Sequence, residues 1–248
     1  MKRFRLTVVA LIACGGVFFG ATGARAQIAP ASGVCVGGVI APGTYSSLTV
    51  ANGSCAIPSG AVTILGNLLV ANGGTLFAAS PAATVTVLGG VYVYNNSTLI
   101  FGCAPSFGCE TTTNDSIRGN LLSLGAREVI LHGDTIGGSV TLNGGGGGLT
   151  CNNFINPVFS DIEDNTINGS VSIISLRSCY LGFIRNHVGS NVFVAGNAFA
   201  DPDANEITTN IIGGYLQCFG NIPGAQFGDT GGTPNIAAGG KTGECGNL

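Results

Sequence analysis

The chain has 248 residues, 42 of them glycine, with nine basic and twelve acidic residues, no tryptophan and a formal net charge of −3. This composition excludes a disordered chain, which needs low hydrophobicity, and a helical bundle, which needs charged and leucine-rich stripes. It also excludes a nucleic-acid binder, which needs a basic face.

The first segment reads as an export signal. Lys2, Arg3 and Arg5 precede the apolar stretch Leu6 to Phe19, and Ala24-Arg25-Ala26 supplies a small-x-small cleavage site. Residues 1–26 are therefore expected to be a signal peptide cleaved after Ala26, too short to be a membrane span. The expected location is secreted, periplasmic or on the cell surface. A second reading takes Leu11-Ile12-Ala13-Cys14 as a lipoprotein box with Cys14 acylated. Removal of 1–26 takes four of the nine basic residues and none of the acidic ones, so the net charge moves from −3 to −7. Eight cysteines remain, an even number that predicts four disulfides in an exported protein.

Residues 27–45, rich in Gly, Pro and Ala, are expected to cap the N-terminal end. From 46 to 218 a short motif recurs: apolar, any, Gly, small, then two apolar residues separated by one. Examples are Ile64-Leu-Gly66-Asn-Leu68-Leu-Val70, Ile136-Gly-Gly138-Ser-Val140-Thr-Leu142 and Ile167-Asn-Gly169-Ser-Val171-Ser-Ile173. Successive Gly positions lie 20, 23, 30, 19, 31, 21 and 24 residues apart, counting Ser46 and Ser190 as substitutes. The two long gaps hold insertions, one around Cys103 to Cys109 and one around Gly144 to Cys151. Each copy alternates apolar and polar residues, the period of a strand with one buried face. Strands this short bury that face only by stacking, as in a solenoid.

Upstream of the later copies, an Asn or Asp stands two residues before the first apolar position: Asp134, Asn165, Asn186 and Asn210. These residues tolerate the left-handed backbone of a sharp corner, and at one phase per coil they would stack into a side-chain ladder. The pattern predicts an all-β, single-stranded parallel β-helix of about eight coils of 20–24 residues with two insertions. Crossover handedness makes it right-handed, and residues 219–248 would form a C-terminal cap or tail. The Asn-bearing repeat resembles the right-handed β-helix of the pectin-lyase-like superfamily. The stretch from Gly214 to Pro223 with Gly243-Glu-Cys245 is similar to uncharacterised secreted bacterial proteins of that build.

Eight cysteines allow about a hundred pairings. Nearest neighbours along the stack favour Cys35 with Cys55, Cys103 with Cys109, Cys151 with Cys179, and Cys218 with Cys245. No C-x2-C pair supports zinc, and no metal or cofactor is expected.

Chemistry is sparse. His187 should point outward, and His132 has no partner identifiable from spacing. Asp201 and Asp203 read as a polar turn. Enzymes of the pectin-lyase-like superfamily that cleave acidic polysaccharides use carboxylates with a basic residue, which makes Asp161, Glu163, Asp164 and Arg185 the catalytic candidates. Arg185 lies 22 residues after Glu163, one coil on, a spacing that serves a surface salt bridge at least as well. Leu69, Tyr92 and Leu122 fall on three successive coils and would form an outward apolar patch, either a binding surface or a seat for the 94–116 insertion. The scarcity of ionisable groups favours a non-catalytic, structural, adhesive or surface-binding protein. The alternative is a polysaccharide lyase or glycoside hydrolase. The expected partners are carbohydrate or a cell-surface component, with self-association through exposed coil ends, and no nucleic acid.

Overall fold

The computed structural model describes residues 30–151 and 158–248; the expected signal peptide and Cys14 lie outside them. The described chain winds as an all-β parallel solenoid of about eight turns. Three sheets of ten, eight and nine strands form its sides, every pairing between named strands is parallel, and a two-stranded sheet is added beside the later coils.

The first sheet runs from Gly33–Cys35 through Leu48–Val50, Leu68–Val70 and Val91–Val93 to Gly240–Gly243. The second runs from Gly38–Val39 through Thr98–Phe101, Glu128–His132, Ser160–Glu163 and Leu181–Ile184 to Glu206–Thr208. The third runs from Gly43–Tyr45 to Ile236–Ala237. Both end segments expected to cap the rod thus also contribute strands to it.

The motif's apolar positions become columns. Leu68, Val91, Leu121, Val140, Val171 and Val192 stack in register inside the first sheet. Ile64, Val87, Ile117, Ile136, Ile167 and Val188 stack inside the third. All are at most 3% exposed, and burying each aliphatic side chain contributes roughly 1.5–3 kcal/mol.

The motif glycine is set by close approach. A Cβ at Gly66, Gly89, Gly119, Gly138 or Gly169 would stand 2.5–2.7 Å from a carbonyl oxygen of the preceding coil. Beside it, Asn67, Asn120, Ser139 and Asn191 accept backbone N–H groups from the following coil at 2.8–3.1 Å.

The interior ladder forms and extends further than the repeat suggested. Asn165, Asn186, Asn210 and Asn235 pass amide hydrogen bonds from coil to coil at 2.8–3.1 Å, each Nδ2 but the last also donating to the next Oδ1. Each Nδ2 donates to a second-sheet carbonyl, those of Leu131, Ile162, Phe183 and Ile207. A second ladder, absent from the sequence reading, joins Asn197 to Asn221 and Asn221 to Glu244. The left-handed corner residue is the one before the rung, not the rung itself: Gly133, Asp164, Arg185 and Thr209 have φ of 75°, 59°, 57° and 61°. The rung supplies hydrogen bonds; its predecessor turns the chain.

All four disulfides join the nearest-neighbour pairs. Cys35–Cys55 and Cys218–Cys245 lie in the core at the two ends, each cysteine at most 9% exposed. Four disulfides fit an oxidising compartment. Among the described residues no helix is long and apolar enough to cross a membrane.

Candidate functional site

The outer face of the second sheet gathers the chain's chemistry. Along its strands Phe101, Leu131, Ile162, Phe183 and Ile207 point into the core, in register. The alternate positions point out: Thr98 and Ile100, then Glu128, Ile130 and His132, then Asp161 and Glu163, then Glu206 and Thr208. This outer face is nevertheless largely buried, with His132 at 1%, Asp161 and Glu163 at 8% and Glu206 at 2% exposure. Segments inserted between strands fold back over it. Phe107, from the loop closed by Cys103–Cys109, lies on the His132 ring with centroids 4.6 Å apart. Thr208 donates to the Thr233 carbonyl at 2.8 Å.

The four catalytic candidates converge with His132, the residue that spacing left without a partner. His132 Nε2 lies 3.1 Å from Asp161 Oδ2, and its Nδ1 lies 3.3 Å from Ser106 Oγ. Ser106 donates to Asp164 Oδ2 at 2.6 Å. Arg185 grips Asp164 with Nε at 2.7 Å and Nη2 at 3.1 Å, and Nη2 also donates to Glu163. Close packing makes room for this: a Cβ on Gly182 would stand 2.2 Å from Asp161 Oδ1.

The electrostatics follow from this crowding. Burial, then repulsion from Asp161, pushes the Glu163 carboxyl up to about 7 against the pull of Arg185. Burial also works to raise Asp164, but the hydrogen bonds from Arg185 and Ser106 outweigh it and hold that carboxyl below its ordinary value. Hydrogen bonding to Asp164, foremost, raises Arg185. Further along the face, Glu206 accepts from the Tyr180 hydroxyl at 2.7 Å and is pushed up to about 7, chiefly by burial. His132, Asp161 and Glu163 bring ligand atoms within 4.8 Å of one another, as do Asp203, Glu206 and Asp229, and either trio could hold a cation. Arg185 already supplies the positive charge at Glu163.

Next to this network is a cavity of ≈ 460 Å³, lined by Phe77, Ile100, Phe107, Ile130 and Phe159, with Arg127 and Glu128 as charged lining. That volume suits a small ligand or one unit of a polymer.

The remaining expectations fall elsewhere. Leu69, Tyr92 and Leu122 do align on the outer face of the first sheet, each half-buried. Of the two expectations for that patch, a seat for the 94–116 insertion is not met by the Cys103–Cys109 loop: its Phe107 and Ser106 pack on His132 and Asp164 at the second sheet. His187 is exposed. Asp201 Oδ1 accepts the Asp203 N–H at 3.0 Å, a polar turn. The link from His132 to Glu163 was open to the sequence: both stand two residues before a ladder rung, Asp134 and Asn165, so aligning the rungs pairs them. Ser106 carries no such signal, since it lies inside an insertion.

Comparison of the chain with protein-family models, curated proteins and solved structures finds no match. No membership of the pectin-lyase-like superfamily follows from these comparisons; what the structure supports is the architecture, a parallel β-solenoid of about eight turns.

Proposed function

We propose that this chain is an exported β-solenoid that binds an extracellular or cell-surface carbohydrate along the outer face of its second sheet. The observation that carries this reading is the cavity of ≈ 460 Å³ with Phe77, Phe107 and Phe159 on its walls. Aromatic faces suit the apolar faces of sugar rings, and Arg127 and Glu128 offer polar partners. Export accords with the n-region, apolar stretch and Ala24-Arg25-Ala26 of the first segment, and with four disulfides.

A polysaccharide lyase or glycosidase built on Asp161, Glu163, Asp164 and Arg185 is the weaker reading. The four do meet on one face, but Arg185 is spent on Glu163 and Asp164, and the two residues nearest a paired-carboxylate site, Asp161 and Glu163, are 8% exposed. A polymer has no room at them without displacing the Cys103–Cys109 loop.

Affinity electrophoresis through gels carrying polyuronides, neutral glucans or xylans tests the reading. Retardation by at least one polymer without release of unsaturated or reducing ends is the expected result. Unsaturated products from polyuronides, lost in Arg185→Ala, would favour the lyase instead.

A further inference from the structure

The network beneath the Cys103–Cys109 loop meets solvent at the exposed Ser106 and at the partly exposed Asp164 and Arg185. We propose that Ser106, His132 and Asp161 form a nucleophile–base–orienter set that hydrolyses carboxylic esters carrying an apolar acyl or aryl group. This goes beyond the binding reading and does not depend on it.

The geometry carries the proposal. Asp161 Oδ2, 3.1 Å from His132 Nε2, fixes the tautomer with the proton on Nε2 and leaves the Nδ1 lone pair facing Ser106 Oγ at 3.3 Å. That is the nucleophile-to-base and base-to-orienter pairing that acyl transfer requires. His132 is 1% exposed beneath Phe107, whereas Ser106 is exposed. The base is thus shielded while the nucleophile is open. A three-residue helical turn, Pro105–Phe107, inside the ring closed by Cys103–Cys109 holds the serine in place. Phe107, the next residue, also lines the ≈ 460 Å³ cavity, so the apolar part of an ester has a seat beside the hydroxyl.

In the step, Ser106 Oγ bonds to the ester carbonyl carbon as its proton passes to His132 Nδ1. The carbon–oxygen bond to the alcohol breaks, and that oxygen takes the proton from Nδ1. Water then attacks the acyl-serine, giving its proton to His132, and the carboxylic acid leaves as Ser106 recovers a proton. Asp161 balances the imidazolium charge throughout. Asp164, which accepts the Ser106 proton at 2.6 Å in the resting arrangement, competes with His132 for it. It is not needed for the transfer.

The test uses the full disulfide-bonded chain with p-nitrophenyl acetate and butyrate, and with an alkyl fluorophosphonate probe. The expected result is one covalent label, mapped by mass spectrometry to Ser106, and ester turnover above background. Ser106→Ala should lose the label and reduce kcat/KM by about 10³-fold or more, while still folding and keeping its polymer retardation. Asp161→Asn should keep the label but slow turnover and shift its pH profile, the signature of a positioning residue. Absence of label on the wild-type chain, or turnover equal in Ser106→Ala, overturns the proposal and leaves the binding reading standing.

Discussion

Asp134 is the discordant rung of the interior ladder. The rungs after it are asparagines whose Nδ2 donates to a carbonyl of the second sheet, and the equivalent acceptor for residue 134 is, by register, the Phe101 carbonyl. Both Asp134 carboxylate oxygens are buried without a partner, and burial, with Asp115 nearby, raises its pKa well above the ordinary value. The native state then holds a proton that the unfolded chain releases, so stability falls as pH rises above the unfolded value of 3.8. Asp134→Asn should remove that loss and add a rung, gaining on the order of 1–3 kcal/mol at neutral pH, measured by denaturant unfolding. Glu163 and Glu206 follow the same sign. Each is raised to about 7 from 4.5, so their contribution is full below about pH 4.5 and is lost as pH rises towards 7. Glu163→Gln and Glu206→Gln should each flatten the fall of melting temperature across that window; an unchanged slope would contradict the assignment. At this scale the sequence was a partial guide. The rung positions were legible because they sit at one phase of the repeat. The left-handed corner was not, because Arg185 and Thr209 carry no propensity for positive φ and are forced there by the stack around them.

Among elements, the strands were the most legible part of the chain, since alternating Val, Ile and Leu around a fixed glycine leaves one face to bury. The glycine's cause was less visible. It answers to a carbonyl of the coil beneath, which only stacking reveals. Gly182 is the functional counterpart: Gly182→Ala should drive Asp161 off His132, costing about 1–3 kcal/mol by overpacking and moving the His132 ring resonances in NMR spectra. The disulfides at the ends act on whole strands. Cys218 stands in Tyr215–Phe219 and Cys245 in the turn that closes the C-terminal end. The double variant Cys218→Ser/Cys245→Ser should lose about 2–4 kcal/mol and expose amides of Gly240–Gly243 to hydrogen exchange before those of Leu121–Leu124. Insertions were the illegible elements. They break the period, so nothing in the spacing said which side of the rod each would cover; the Cys103–Cys109 loop packs on the second sheet.

Over the whole molecule, ionisable groups are few, and that scarcity favoured a rod without a focused site. The fold alters this inference. Winding brings His132, Asp161, Glu163, Asp164, Arg185 and Glu206 to one side of the stack, across residues 74 apart in the sequence at the extreme, with His132, Asp161, Glu163 and Glu206 buried there. The first sheet, with Leu69, Tyr92 and Leu122, keeps an open, half-buried outer face, while the second carries the cavity and its charged surroundings. The central claim is that the second sheet's outer face is where this protein meets its ligand. Affinity electrophoresis of variants on the two faces tests it most directly, using the polymer that retards the wild-type chain. The account predicts that Phe77→Ala and Arg127→Ala abolish retardation while Tyr92→Ala leaves it intact. Loss of retardation in Tyr92→Ala, with Phe77→Ala and Arg127→Ala behaving as wild type, would contradict it.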